Sequence, residues 1–239
     1  MSITENVAAI RARIEAAAVE SGRTGADITL VAATKMNDAS RVREAVAAGV
    51  DVCGENRVQE LLEKNEQHAY DGAPLHFIGH LQTNKVKYLV GLAELIQSVD
   101  SEALLREIEK RASKLDLTQN VLIEVNIGGE EAKSGVAPEQ LDALLRFAGT
   151  CPHVRVCGLM AIPPISVEKG GNHAYFCRMK ELFVDIGRKK YNNVNMQFLS
   201  MGMSDDFEDA IRCGANMVRV GSSIFGARNY AAASVQKSE

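Results

Sequence analysis

The chain has 239 residues, 46% apolar and 24% charged, with 27 Lys and Arg against 31 Asp and Glu for a formal net charge of −4. That length buries a full core, as one large α/β domain or two small ones, and the composition is that of a soluble globular protein. No sustained basic stripe supports nucleic-acid binding, since Lys85-Val86-Lys87 and Lys189-Lys190 are short solvated faces. No apolar run approaches the length of a membrane span, and residues 2–6 show no basic region leading into an apolar core, so no secretory signal is visible.

The leading segment, residues 5–20, spaces Val7, Ile10, Ile14 and Ala17-Ala18 at helical intervals, with Arg11, Arg13 and Glu15 between them. It reads as an extra amphipathic helix ahead of the rest. Strand and helix patterns then alternate with short connections. The strands are expected near 28–34, 50–53, 75–79, 94–99, 120–127, 154–161, 196–201 and 216–220. Helices are expected near 39–48, 56–66, 83–90, 101–115, 138–149, 172–189 and 205–212. Gly49 and Gly214 fall just past helix ends, where a left-handed cap is wanted. Glu102 with Arg106, and Glu107 with Arg111, are acid-before-base pairs four apart. Pro138 suits a first helical turn, with Leu141, Leu144, Leu145 and Ala148 on one face behind it. Strands such as Val121-Leu122-Ile123-Glu124-Val125 suit a parallel sheet covered by helices.

Eight such units in this length match a (β/α)8 barrel, the TIM barrel, here with the N-terminal helix added. An open doubly wound sheet is the alternative that periodicity alone does not separate. No linker, repeat or low-complexity stretch divides residues 1–239, so one domain is expected. Five cysteines at 53, 151, 157, 177 and 213 include no C-x-x-C pair. That pattern points to reduced thiols in the cytoplasm and away from a zinc site or a disulfide frame. Cys53, Cys157 and Cys213 lie beside apolar residues and read as small core residues.

Lys35 ends the first strand, inside a βα loop, where parallel α/β proteins place their chemistry. Alone it is an ordinary loop lysine. Strand parity puts it on one side with Ala33, Val31 and Thr29, the small or β-branched set suited to a barrel interior. An amine held there is able to form an imine with an aldehyde cofactor. Two loops at the far end of the chain add a second signal. Ser200-Met201-Gly202-Met203-Ser204 follows the seventh strand, and Arg219-Val220-Gly221-Ser222-Ser223 carries the eighth strand into its loop. Glycines there let the backbone come close to a ligand, and serines and a helix start donate to a phosphate. Phosphate sites recur in these two loops of barrels. Asp205 and Glu208 have capping-box spacing and read as helix caps. In His76-Phe77-Ile78-Gly79-His80 the first histidine reads as structural and the second as a residue of the mouth.

A lysine after the first strand and a phosphate cradle after the last two are neighbours across a closed barrel. The ligand that carries both an aldehyde and a phosphate is pyridoxal 5′-phosphate (PLP). Arg219 fits the position opposite the pyridine nitrogen, where an arginine leaves the ring unprotonated and a weak electron sink.

These residues resemble those of the PLP homeostasis protein family, whose barrel is similar to the N-terminal domain of alanine racemase. The resemblance rests on Ala32–Lys35, Gly54–Glu60, His76–Lys85, Lys133–Gly135, Gly158–Met160, Leu199–Asp206 and Val218–Gly226, and so covers nearly the whole chain. Where the family often has threonine or another small residue, this chain has Ser222-Ser223, which keeps a hydroxyl. The resemblance implies PLP bound covalently to Lys35, with Asn56 near the ring and Met160 packed beside it. It implies phosphate contacts from Ser200, Gly202, Ser204, Gly221 and Ser222, and Arg219 facing the pyridine nitrogen. It further implies a non-catalytic protein that holds or delivers PLP in vitamin B6 and amino-acid homeostasis. Other B6 vitamers and apo PLP enzymes are its expected partners, no nucleic acid or membrane is expected, and the expected state is a monomer. The alternative is a low-activity PLP-dependent racemase. The racemase that the barrel resembles uses an added β-rich domain and a tyrosine base. Only Asn229 to Glu239 follow Arg228 here, which leaves a tyrosine elsewhere, such as Tyr230, as the way to supply that base.

Overall fold

The computed structural model describes residues 1–130, 132–166, 168 and 170–226. Tyr230 lies outside them. The first helix, α1 (Ile3–Glu20), opens with a capping box: Ser2 Oγ accepts from the Glu5 amide at 3.2 Å and Glu5 Oε2 from the Ser2 amide at 2.8 Å. Ile3, Val7, Ile10, Ile14, Ala17 and Ala18 form its buried stripe.

Eight parallel strands follow: β1 (Thr29–Ala33), β2 (Val52–Glu55), β3 (Leu75–Phe77), β4 (Leu95–Val99), β5 (Gln119–Glu124), β6 (Val154–Met160), β7 (Val194–Ser200) and β8 (Met217–Val220). Each pairs with the next in chain order, and β8 returns to β1 with Arg219 opposite Val31, so the sheet is a closed barrel. The expected TIM barrel is the observed fold, and the open sheet is excluded. Its helices are α2 (Ala39–Ala47), α3 (Val58–Glu66), α4 (Glu102–Lys114), α5 (Leu141–Ala148), α6 (His173–Arg188), α7 (Phe207–Arg212) and the short α8 (Ser222–Phe225). Helix α1 packs outside this ring, against α2, α7 and α8.

Three local readings need correction. The β3–β4 crossover at Thr83–Tyr88 is a 3-10 helix, a form suited to a short connection pinned by Val86. β2 begins at Val52 and ends at Glu55, later than expected, because Val50 belongs to the turn behind Gly49 (φ +90°). Gly54 and Glu55 look like loop residues in the sequence, yet a Cβ on Gly54 would lie 2.7 Å from Val31 Cγ1 and 2.9 Å from Ile78 Cδ1. The crowded barrel interior demands that glycine. Finally, Asp205 and Glu208 form no capping box. The N-cap position of α7 is Asp206, without a side-chain cap bond, and Glu208 instead pairs with Arg13 at 3.0 Å. Gly214 has the expected left-handed φ of +102°.

Two apolar layers result. Most of the core lies between the barrel and the helices, including Leu30, Ala32, Cys53 and Cys213. A smaller cluster of Val31, Val52, Ile78, Leu95, Leu122, Cys157, Met160 and Met217 fills the barrel itself. Alternation along β1 is as parity requires, and Cys53, Cys157 and Cys213 are buried thiols. No helix among the described residues is long and apolar enough to cross a membrane.

Candidate functional site at the barrel mouth

The C-terminal ends of β1 and β2 set the first half of the mouth. Thr34 points outward, donating to Glu55, and Lys35 follows it in the turn after β1, half-buried. The backbone around Lys35 is held on both sides. Lys64 Nζ donates to Thr34 O at 2.9 Å, Asn37 Nδ2 to Lys35 O at 3.0 Å, and the Met36 amide to Glu60 Oε2 at 2.8 Å. Met36 has a left-handed φ of +60°, which these bonds fix. Behind the strand, Glu55 Oε2 accepts from Lys64 Nζ at 2.7 Å and from Thr34 Oγ1 at 2.9 Å. Glu55 Oε1 accepts from the Asn56 amide at 2.8 Å. Asn56 follows Gly54 beyond β2, and its Oδ1 is buried without a hydrogen-bond partner among the described residues. A buried acceptor left open in this way has room for a further donor.

A polar ladder crosses the interior beneath the mouth. Arg219 Nη1 donates to Ser200 Oγ at 2.6 Å, and Ser200 Oγ donates to Gln97 Oε1 at 2.7 Å. Gln97 Nε2 lies 3.0 Å from His76 Nδ1. An amide nitrogen only donates, so Nδ1 accepts and the proton of this imidazole sits on Nε2. Burial agrees, lowering the His76 pKa to about 4. Arg219 Nη2 donates to Ala161 O at 2.9 Å. Burial lowers the Arg219 pKa to about 10, against the raising effect of Glu124 and Asp206, so the guanidinium stays charged at neutral pH. Glu124, at the end of β5, is pushed up to about 7 by burial and by Asp100, with Arg219 opposing.

The loops after β7 and β8 complete the mouth. Gly202 (φ +90°) accepts the Arg219 amide through its carbonyl at 3.0 Å, and a Cβ there would lie 2.6 Å from Ala210 Cβ. Ser204 Oγ accepts from the Gly221 amide at 3.2 Å and the Ser223 amide at 3.4 Å, which ties the two loops together. Asp206 braces the first loop, accepting from the Met203 amide at 2.7 Å and from Asn172 Nδ2 at 2.8 Å. Gly221 precedes α8, whose first residue, Ser222, is exposed. A Cβ on Gly221 would touch Ala33 Cβ at 3.4 Å, so the loops leaving the first and last strands are neighbours.

The barrel therefore gathers Lys35, Asn56, Met160, Gly202, Ser204, Arg219, Gly221 and Ser222 at one end. Met160 lies in the interior cluster, paired in register with Glu124 and Ser200. Ser200 is different: its hydroxyl is fully buried and already spans Gln97 and Arg219. His76 is an interior residue, and His80 sits on the rim with Nδ1 3.0 Å from Ser134 Oγ. Glu124, Gln97 and the Glu55–Lys64 pair do not stand out in the sequence. Their only signal is a polar residue on the inward phase of an apolar strand, or a lysine on the buried face of a helix with Val58 and Leu61. A cavity of about 450 Å³ opens at the other end of the barrel, lined by His76, Asn120, Arg155, Asn195 and Gln197 among others. In this fold that end serves stability and the mouth serves chemistry.

Residues 4–229 match the family described as alanine racemase, N-terminal domain. A pyridoxal phosphate homeostasis protein of Aquifex aeolicus is 45% identical over 230 residues, covering 96% of this chain and 100% of that protein. Another, from Pseudomonas aeruginosa, is 42% identical over 97% of this chain and 98% of its own length. The solved structure of PipY from Synechococcus elongatus with PLP bound is 30% identical, with a TM-score of 0.81 over 94% of this chain and all (100%) of that one. Alanine racemase of Clostridium difficile shares the fold, at 15% identity and a TM-score of 0.70, with 57% of its chain covered.

Proposed function

Because the chain belongs to the pyridoxal phosphate homeostasis proteins, within the wider alanine racemase N-terminal domain family, we propose that it binds PLP in its barrel mouth and holds or delivers it as a non-catalytic carrier. The observation that supports this reading is that Lys35, in the turn just past β1, and the buried, charged Arg219 of β8 belong to neighbouring strand units of one mouth, since β8 pairs with β1. The residues suit the group. Asn56 offers a buried acceptor without a partner, which a ring hydroxyl is able to satisfy. Gly202 and Gly221 give backbone access, with Ser204 and Ser222 beside them, for a phosphate.

In this reading Lys35 attaches the cofactor covalently, Asn56 lies near the ring, and Met160 packs against it. Gly202, Ser204, Gly221 and Ser222 hold the phosphate, and Arg219 faces the pyridine nitrogen. Ser200 acts through Arg219, since its hydroxyl is already shared between that guanidinium and Gln97. When bound, PLP supplies an aldehyde that exchanges amines and a ring that can accept electrons. Arg219 donates to Ser200 and Ala161 and has no proton-accepting atom. It leaves the ring nitrogen unprotonated, which weakens carbanion chemistry and spares amine exchange. A single barrel domain, working as a cytoplasmic monomer with B6 vitamers and apo PLP enzymes as partners, is part of the same proposal.

One observation favours a second reading, a low-activity racemase: Glu124, buried at the end of β5 beside Asp100, has its pKa pushed up to about 7, towards the range suited to moving a proton. The test separates the two. Holo-protein mixed with an apo PLP enzyme is expected to restore that enzyme's activity. Single L-amino acids are expected to yield neither the D-isomer nor a keto acid. Robust turnover of one amino acid, lost in Lys35→Ala, would overturn the carrier reading.

A further inference from the structure

One cluster of metal-ligating side chains lies away from the barrel mouth, on the helical ring. His173 opens α6, and Cys177 follows one turn later on the same face. Cys213 sits at the C-cap of α7. Cys177 Sγ and Cys213 Sγ are 3.2 Å apart, His173 Nε2 is 3.4 Å from the first and His173 Nδ1 is 3.3 Å from the second. Candidate ligand atoms from all three residues lie within 4.8 Å of one another. Both thiols are free. The sequence points away from zinc because it has no C-x-x-C pair. Folding supplies the proximity that spacing lacks.

We propose that His173, Cys177 and Cys213 bind a thiophilic divalent cation, zinc above all, with water in the fourth position. Two thiolates and an imidazole are a donor set zinc accepts, and their softness disfavours magnesium and calcium. Tetrahedral zinc, with bonds of about 2.3 Å to sulfur and about 2.0 Å to nitrogen, separates its ligand atoms by roughly 3.5–3.8 Å. The present separations are shorter by a few tenths of an ångström, so the sulfurs must part slightly and the imidazole must turn one nitrogen to the metal. The exposure of His173 and the half-burial of Cys177 permit both movements and leave an entry path. On binding, two S–H bonds are exchanged for two S–Zn bonds and two protons leave to solvent, so affinity rises with pH. The ion would pin the start of α6 to the end of α7. Asn172, the residue before His173, already holds Asp206 on the loop after β7, so the clamp would close on both sides of that loop.

The test uses the full chain, reduced and treated with a chelator, titrated with Co²⁺ and then Zn²⁺. One cobalt per chain should bind, giving thiolate-to-cobalt charge transfer and the strong visible bands of a tetrahedral site, and zinc should displace it. Those bands should vanish in Cys177→Ser and Cys213→Ser. His173→Ala should weaken binding by at least the roughly hundredfold that loss of a mere supporting partner can cost. Zinc should raise the melting temperature of the parent and of neither cysteine variant. Circular dichroism unchanged from the parent in each variant assigns the loss to the site and not to unfolding. Absence of the bands in the reduced parent, their persistence in Cys213→Ser, or isolation of the pair only as a disulfide that resists reduction would overturn the proposal.

Discussion

Beyond the C-terminal ends of β1 and β2, two lysines sit in different surroundings: Lys64 of α3 on the outer side and Lys35 in the turn after β1. On the outer face, Lys64 is 8% exposed and Glu55 fully buried, and they meet at 2.7 Å with Thr34 completing the shell. One residue past Thr34, Lys35 stands half-buried at a mouth whose Asn56 Oδ1 has no partner among the described residues. The outer network is closed: it spends its bonds on the backbone at residues 34–37 and so fixes where Lys35 emerges. The inner set is open at the top and ordered below, by a ladder that runs one way from Arg219 to His76. Closed networks position residues, and open ones receive ligands.

Lys64→Met attacks the closed side and should have the largest effect on stability. It leaves Glu55 buried without its cation, a loss of about 3–5 kcal/mol, to be read from urea unfolding. A midpoint equal to the parent's would show that the pair positions nothing. The double variant with Glu55→Leu should recover much of the loss.

The ladder side responds to pH, best measured without cofactor. Burial lowers His76 from 6.5 to about 4, so the unfolded chain binds a proton the folded one refuses, and stability falls as pH drops through that window. Glu124 is raised from 4.5 to about 7, so its contribution is full below 4.5 and is lost as pH rises towards 7. Each is worth on the order of 3 kcal/mol across its window, and between them they largely cancel. His76→Gln should expose a fall in stability with rising pH, and Glu124→Gln a rise. Parallel pH profiles for both variants and the parent would contradict the burial of these two groups as the source of the pH dependence.

Ser200→Ala leaves Arg219 Nη1 and Gln97 Oε1 without their shared partner, costing about 1–3 kcal/mol. It should also alter the absorbance of bound cofactor, as a direct phosphate contact would not. Smallest of all, Arg178→Ala removes a pair with Glu181 whose side chains are 57% and 66% exposed. Its effect should stay under about 0.5 kcal/mol, and a larger one would mean that the outer helices contribute more than their packing.

The barrel was legible because alternation along a strand and the 3.6-residue period are local signals. The place of Lys35 and the two glycine-serine loops at the mouth was legible because they follow the C-terminal ends of strands. Gln97, Ser200 and Arg219 meet only when β4, β7 and β8 face each other across a closed sheet, so nothing in their spacing announces the ladder. Glu55 hides because its partner Lys64 occupies an apolar position of a helix. The late end of β2 is not legible in the sequence for a steric reason: Gly54 is dictated by Val31 and Ile78, which are far from it in the chain.

The central claim, that Lys35 is the residue the mouth offers to PLP, is tested most directly by borohydride reduction of PLP-loaded protein, proteolysis and mass spectrometry. The account predicts one cofactor adduct per chain, on the peptide containing Lys35. In Lys35→Ala the adduct should be absent while circular dichroism is unchanged, because the residue lies in the turn after β1, outside every strand and helix. An adduct mapped to another lysine, or one that persists in Lys35→Ala, would contradict it.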